Sequence, residues 1–179
     1  MIWNFNLLAT SEVLTRSQAA SELWILLRAL GDENPQVDRS PIKGLITAKT
    51  SIDAVEAIHK LRAYLQEHPG KFKTLLRIMP IDRVIATDLD ELIEATKELS
   101  SKIDDDASFR VTVEKRKTDL RSLEVIDAVA GNLDQKVDLV NPDWVVLIQI
   151  LGKHTGVSVI HPEDLLNVQK EKAALSMRP

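Results

Sequence analysis

The sequence predicts an α/β (α+β) protein of two small domains. Two observations carry this: strand-like alternation and helix-like periodicity take turns along the whole chain, and the order of the pieces restarts near residue 86. The chain has 179 residues, 44% hydrophobic and 28% charged, with a formal net charge of −4, the composition of a globular chain rather than a disordered one.

The first half reads β-α-β-β-α-β. Trp3–Ala9 alternates as a strand, and Thr15-x-x-Gln18 has the form of a capping box. Ala19, Ala20, Leu23, Leu26, Leu27 and Leu30 then recur at helical spacing up to Gly31. Asp32-Glu-Asn-Pro35 is a turn, and Gln36–Ser40 and Gly44–Lys49 are two short strands around a bend. Ser51 is the expected cap of a second helix with Ile52, Val55, Ile58, Leu61 and Leu65 as its buried stripe. His68-Pro-Gly70 ends it, and Phe72–Met79 returns as a strand. This order predicts a ferredoxin-like domain over residues 1–85.

The second half, 86–165, opens on Asp88-x-x-Glu91, another capping-box pattern, followed by Leu89, Leu92, Ile93, Thr96, Leu99 and Ile103 at helical spacing. Asp104, Asp105 and Asp106 are unfavourable at a helix C-terminus and read as a solvated loop. Phe109–Lys117 alternates as a half-buried strand that runs out into Lys115, Arg116 and Lys117. A helix follows from Ser122, then a strand over Lys136–Val140, a turn at Asn141-Pro142-Asp143, and Trp144–Leu151, continuous enough to be buried on both faces. Val157–Ile160 is the last strand, and residues 166–179 read as a polar tail.

Arg110, Lys115, Arg116, Lys117 and Arg121 place five cations within twelve residues of an acidic protein. Such a cluster suits an anion, phosphate above all, and the Ser122 helix adds its N-terminal amides. The alternative is a solvated strand end whose lysines blunt an edge. Lys153 and His154, in the turn after the Trp144 strand, and Lys71, Lys73 and Arg77, near the last strand of the first half, are further candidates. Asp138 reads as a structural acid bonded to backbone N–H groups or to Arg110. His59, His68 and His161 lack the company of a metal site, and no cysteine is present, which excludes disulfides and thiolate chemistry. No glycine-rich nucleotide loop occurs, so no cofactor and no metal are expected. The absence of a secretory start or a long apolar run leads to a cytoplasmic expectation.

The ordered set F-R-V-x-V-x-K-R (109–116), S-L-E-V-I-D-A-V-A-G (122–131) and K-V-D-L-V-N-P-D-W-V-V-L-I-Q-I (136–150) resembles the THUMP domain, an RNA-binding module of tRNA-modifying proteins. The resemblance implies a tRNA ligand held at its acceptor stem and 3′ end, with Arg110 and Arg116 at the family's cationic positions. A ferredoxin-like domain often precedes the THUMP domain in such proteins. The enzymes of the family attach a separate catalytic domain, and none is expected in these 179 residues. The chain therefore resembles the non-catalytic adaptor that presents tRNA to a cytidine acetyltransferase for N4-acetylcytidine formation. A targeting subunit of another tRNA-modifying enzyme, or a ferredoxin-like interaction or regulatory module, are the alternatives.

Overall fold

A computed structural model describes residues 3–179. They form two compact units, one from the N-terminal residues up to Pro80 together with Glu163–Pro179, the other Ile81–Pro162. Among the described residues, no helix is long and apolar enough to cross a membrane.

In the first unit the elements are β1 (Leu7–Ser11), α1 (Arg16–Ala29), β2 (Gln36–Arg39), β3 (Leu45–Lys49), α2 (Ala54–Glu67) and β4 (Leu75–Pro80). This is the expected β-α-β-β-α-β order, with β1 starting later than Trp3. The pairings β1–β3, β1–β4 and β2–β3 are antiparallel. Leu23, Leu26 and Leu27 of α1 and Ile58, Leu61 and Leu65 of α2 share one core with Leu7, Ile46 and Ile78 of the strands.

Two local expectations about helix caps are not met. Thr15 makes no cap bond, because a single 3-10 turn, Val13–Thr15, leads directly into α1. Asp53, not Ser51, caps α2, accepting from Glu56 N at 3.1 Å. Ser51 instead donates to Asp32.

The C-terminal segment differs most. Leu166–Asn167 forms a short strand antiparallel to β4, and Val168–Ser176 is a helix capped by Asn167. Leu166 and Val168 are buried in the first core. His59 Nε2 lies 2.7 Å from Asp164 Oδ1, Arg62 Nε donates to Glu171 Oε1 at 2.8 Å, and Lys172 Nζ donates to the Phe72 carbonyl at 2.8 Å. Two buried apolar residues and these polar ties order a segment whose composition reads as a polar tail.

The second unit contains β5 (Arg83–Ala86), α3 (Leu89–Leu99), β6 (Ser108–Arg116), α4 (Ser122–Ala130), β7 (Lys136–Val137), β8 (Trp144–Leu151) and β9 (His154–Ile160). The C-terminal strand and helix of the first unit are therefore β10 and α5. The sheet order is β5-β9-β8-β6-β7. Strand β5 was not expected, and β7 is two residues long where Lys136–Val140 was expected. Asp88 caps α3 as its pattern predicts, accepting from Glu91 N at 3.0 Å. β6 and β8 run parallel in an unbroken register from Phe109↔Trp144 to Arg116↔Leu151. Phe109, Val111, Val146 and Ile148 pack with Val125 and Val129 of α4.

One buried polar hub holds the first unit's turns. α1 ends in a Schellman motif: Asp32 N donates to Leu27 O and Gly31 N to Arg28 O, with Gly31 at φ 102°. That geometry turns Asp32 inward, where it is 1% exposed. Its carboxylate accepts from Thr50 Oγ1 at 2.7 Å, Ser51 Oγ at 2.9 Å, Ser51 N at 3.1 Å and Asn34 N at 3.1 Å. Burial alone would raise its pKa, but these donors outweigh it and hold the carboxyl below its ordinary value. Asp32→Ala is expected to cost roughly 2–4 kcal/mol, since several donors lose their acceptor in a closed site. The folded pKa lies below the unfolded one, so the ionised group's stabilisation is complete above the ordinary carboxylate range and is lost as pH falls through the folded pKa. Denaturant melts of the protein and of Asp32→Asn should therefore differ most near neutral pH and converge in acid. A gap independent of pH would contradict this.

Candidate nucleic-acid interface

The alternation of β6 decides where each of its cations goes. Phe109, Val111 and Val113 face the core shared with α4, so Lys115 follows them and Arg110, Thr112, Glu114 and Arg116 take the other face. Lys115 Nζ donates to the Leu120 carbonyl at 3.0 Å, folding over the loop that leads into α4. Lys117 leaves the strand with φ 54°, the left-handed region, and is exposed. Thr118 Oγ1 accepts from Leu120 N at 3.3 Å and closes the turn. Arg121, also exposed, occupies the N-cap of α4, where no side chain accepts from the helix. The first-turn amides of α4 are thus open to an outside acceptor.

The turn between β8 and β9 joins the same end. Gly152 N donates to Arg116 O at 2.9 Å. Gly152 has φ +65°, and a Cβ there would lie 3.8 Å from Lys117 O and 3.9 Å from Lys117 Cβ, so this turn packs beside Lys117. Lys153 O accepts from Thr87 N at 2.9 Å, which fixes the turn's other side and leaves the Lys153 side chain exposed. Lys115, Lys117, Arg121 and Lys153 therefore gather where the parallel strands β6 and β8 end and α4 begins. Asp119 and Glu124 lie among them and offset part of the charge. The carboxyl ends of parallel strands, beside a helix N-terminus, form a usual place for an anionic ligand in a sheet of this kind.

Arg116 is elsewhere. The sequence places it beside the α4 amides, but strand parity turns it to the opposite face. There Nη1 donates to Gln149 Oε1 at 2.8 Å and Nη2 to Glu114 Oε2 at 3.1 Å, and its side chain is only 19% exposed. Gln149 is fully buried, so Arg116 satisfies a polar group that would otherwise be orphaned. Arg110 shares that face. Its Nη1 donates to Leu139 O at 3.2 Å, and its buried Nε has no hydrogen-bond partner. Asp138 meets its expectation through backbone donors: it accepts from Val140 N and Asn141 N, both at 3.0 Å, and these bonds lower its pKa.

His154 is the first residue of β9 rather than a loop residue. Lys71, Lys73 and Arg77 belong to the first unit, Arg77 within β4 opposite Thr10 and Asn167. His161 stacks on Trp144 at 3.8 Å between ring centroids. Among the described residues, no three His, Asp or Glu side chains converge as a metal site. Gly152 stands in the turn expected after the Trp144 strand; what the sequence did not show is that it packs beside Lys117.

Residues 86–160 match the THUMP domain, so that domain is present in the chain. A curated relative, the uncharacterized protein MJ0421 of Methanocaldococcus jannaschii, is 28% identical over 109 residues, covering 55% of this chain and 30% of that protein. PH1313 from Pyrococcus horikoshii Ot3 is similar in structure at a TM-score of 0.61 and 17% identity, over 88% of this chain and 55% of that one. TrmN from Thermus thermophilus gives 0.60 at 20% identity, over 86% and 44%. A 4-thiouridine synthetase, solved as an RNA complex with bound ATP, gives 0.51 at 14% identity, over 91% and 42%. At these identities the likeness is one of fold. The chain spans less than two thirds of each of these relatives.

Two substitutions separate charge from architecture. Lys117→Gly removes a cation at a left-handed position that glycine adopts without strain, and should change stability by no more than about 1 kcal/mol. Arg116→Ala removes the donor to Gln149 Oε1 and one of the donors to Glu114 and should cost about 1–3 kcal/mol. Thermal melts check both; an unchanged midpoint for Arg116→Ala would show its network to be dispensable.

Proposed function

We propose that this chain binds tRNA, holding phosphates of the acceptor stem and 3′ end at the shared end of β6, β8 and α4. The observation that carries the reading is the convergence of Lys115, Lys117, Arg121 and Lys153 around an N-terminus of α4 that no side chain caps. Cations there supply charge, and the amides supply directional donors for phosphate oxygens. The THUMP domain over residues 86–160 and the shared fold with a synthetase solved on RNA support the same ligand. Aromatic residues are 4% of the chain, so contacts to backbone and shape carry more of the affinity than base stacking.

Within that reading, the chain acts without catalysis of its own, as the adaptor that presents tRNA to a cytidine acetyltransferase. The K-V-D-L-V-N-P-D-W segment and the two-domain order support this. The fold shared with a 4-thiouridine synthetase solved on RNA equally suits a targeting subunit of a different tRNA-modifying enzyme. Reconstitution with an acetyltransferase decides between them: acetylation of tRNA cytidine that requires this chain supports the adaptor, and acetylation indifferent to it rejects it.

The ligand itself is tested by salt. Each neutralised phosphate contributes a log–log slope of roughly −0.7 to −0.9, so three to four contacts predict about −2 to −4. Lys117→Gly combined with Arg121→Ala should flatten that slope by about two contacts. Filter binding with total tRNA measures both, and a slope near zero for the unmodified protein would reject the interface.

A further inference from the structure

The first unit carries an apolar surface that its own core does not account for. α1 turns Leu23, Leu26 and Leu27 inward, yet Trp24 and Ile25 stand 46% and 59% exposed on its outer side. Scattered exposed hydrophobics mean little, but contiguous ones mark contact surfaces. Here they are contiguous. A hollow of about 530 Å3 lies between α1, Tyr64 of α2 and the Lys71–Thr74 segment. A second hollow, walled by Trp24 and Val37, lies on the other side of α1. Ser21 and Ile25 line both, so the surface is continuous across the helix.

The polar groups around the larger hollow define what would fill it. Glu22, its one acid, is already committed: its carboxylate accepts from Lys73 N at 2.7 Å, Thr74 N at 3.1 Å and Leu75 N at 2.9 Å. Lys71 and Lys73 stand exposed on the rim, and among the described residues neither enters an ion pair. Thr74 Oγ1 is buried in the wall with no hydrogen-bond partner. The hollow therefore has an apolar floor, a positive rim and one unspent hydroxyl. A sugar–phosphate backbone gains nothing from Ile25 and Leu26, and Tyr64 is already flanked by the His68 and Phe72 rings. An amphipathic helix gains from every part: apolar residues enter the hollow beside Ile25, and carboxylates meet the two lysines.

We propose that this face of α1 docks an acidic amphipathic helix of a partner protein. The surface belongs wholly to the first unit and does not depend on the RNA reading of the second. It gives Lys71 and Lys73 a protein carboxylate, rather than phosphate, as their counter-charge.

The test uses the full chain and a synthetic peptide of about four helical turns, with leucines at helical spacing and glutamates flanking them. A second peptide replaces the glutamates by lysines, and a third scrambles the order. Titrations are read from the Trp24 indole and the Ile25, Leu26 and Thr74 amide resonances. The expected result is saturable shifts at these positions, with the glutamate peptide binding about tenfold or more tightly than the lysine version. Ile25→Asp, an exposed substitution that leaves the core intact, should abolish peptide binding and keep tRNA affinity unchanged. Lys71→Glu with Lys73→Glu should reverse the preference between the charged peptides. Failure of any peptide to saturate, equal binding of the charged and scrambled peptides, or shifts elsewhere would overturn the proposal. So would loss of tRNA affinity on charge reversal, which assigns the rim to RNA. A concentration-dependent dimer that Ile25→Asp dissolves would assign the face to a second copy of this chain.

Discussion

Parallel neighbours such as β6 and β8 cannot be joined by a hairpin, because the chain must return to the starting end before it can pair again. Between Arg116 and Trp144 it does so through α4 and the short edge strand β7. The eight-residue parallel register thus brings the end of β6, the start of α4 and the β8–β9 turn to one place. Lys153 is far from Lys117 in sequence and adjacent to it in space only through this pairing, with Gly152 as the point of contact. Burial of Phe109, Val111, Val146 and Ile148 against Val125 and Val129 holds the arrangement.

The opposite end of the same strands explains the N-P-D turn. Asp143 Oδ2 accepts from Ser108 N at 2.9 Å and from Ser108 Oγ at 3.1 Å, while Asp143 N donates back to Ser108 Oγ at 3.1 Å. These bonds join the residue before β8 to the first residue of β6, and they lower the Asp143 pKa against a weaker effect of burial. Arg110, bonded to Leu139 O, braces the segment between. Residues that resemble an RNA-binding signature in sequence thus include several that set the register of the strands.

Much of this was legible beforehand. Alternation from Phe109 located β6, the apolar run Trp144–Leu151 located β8, the Asp88-x-x-Glu91 pattern located α3, and Lys115, Lys117 and Arg121 marked the charged end of the sheet. Arg116 was misplaced although the needed signal was present: counting by twos from Phe109 puts it with Arg110 and Glu114, away from α4. What was missing was that the strand keeps its pleat through Arg116 and breaks only at Lys117, where φ turns positive. β10 is two residues long, too short for any period, and its order comes from burial of Leu166 and Val168 and from partners such as Arg62 and Lys172, distant in sequence. Asp32 looked like a turn residue because only the Schellman geometry of α1 aims it at Thr50 and Ser51.

The central claim is that the parallel-strand end of the second unit is where nucleic acid binds. Amide resonances of the labelled chain followed through a titration with tRNA test it most directly. The account predicts the largest shifts at Ser122, Leu123, Gly152 and Lys153, all reversed by added salt. Unmoved resonances at those four residues, with saturable shifts confined to the first unit, would contradict it.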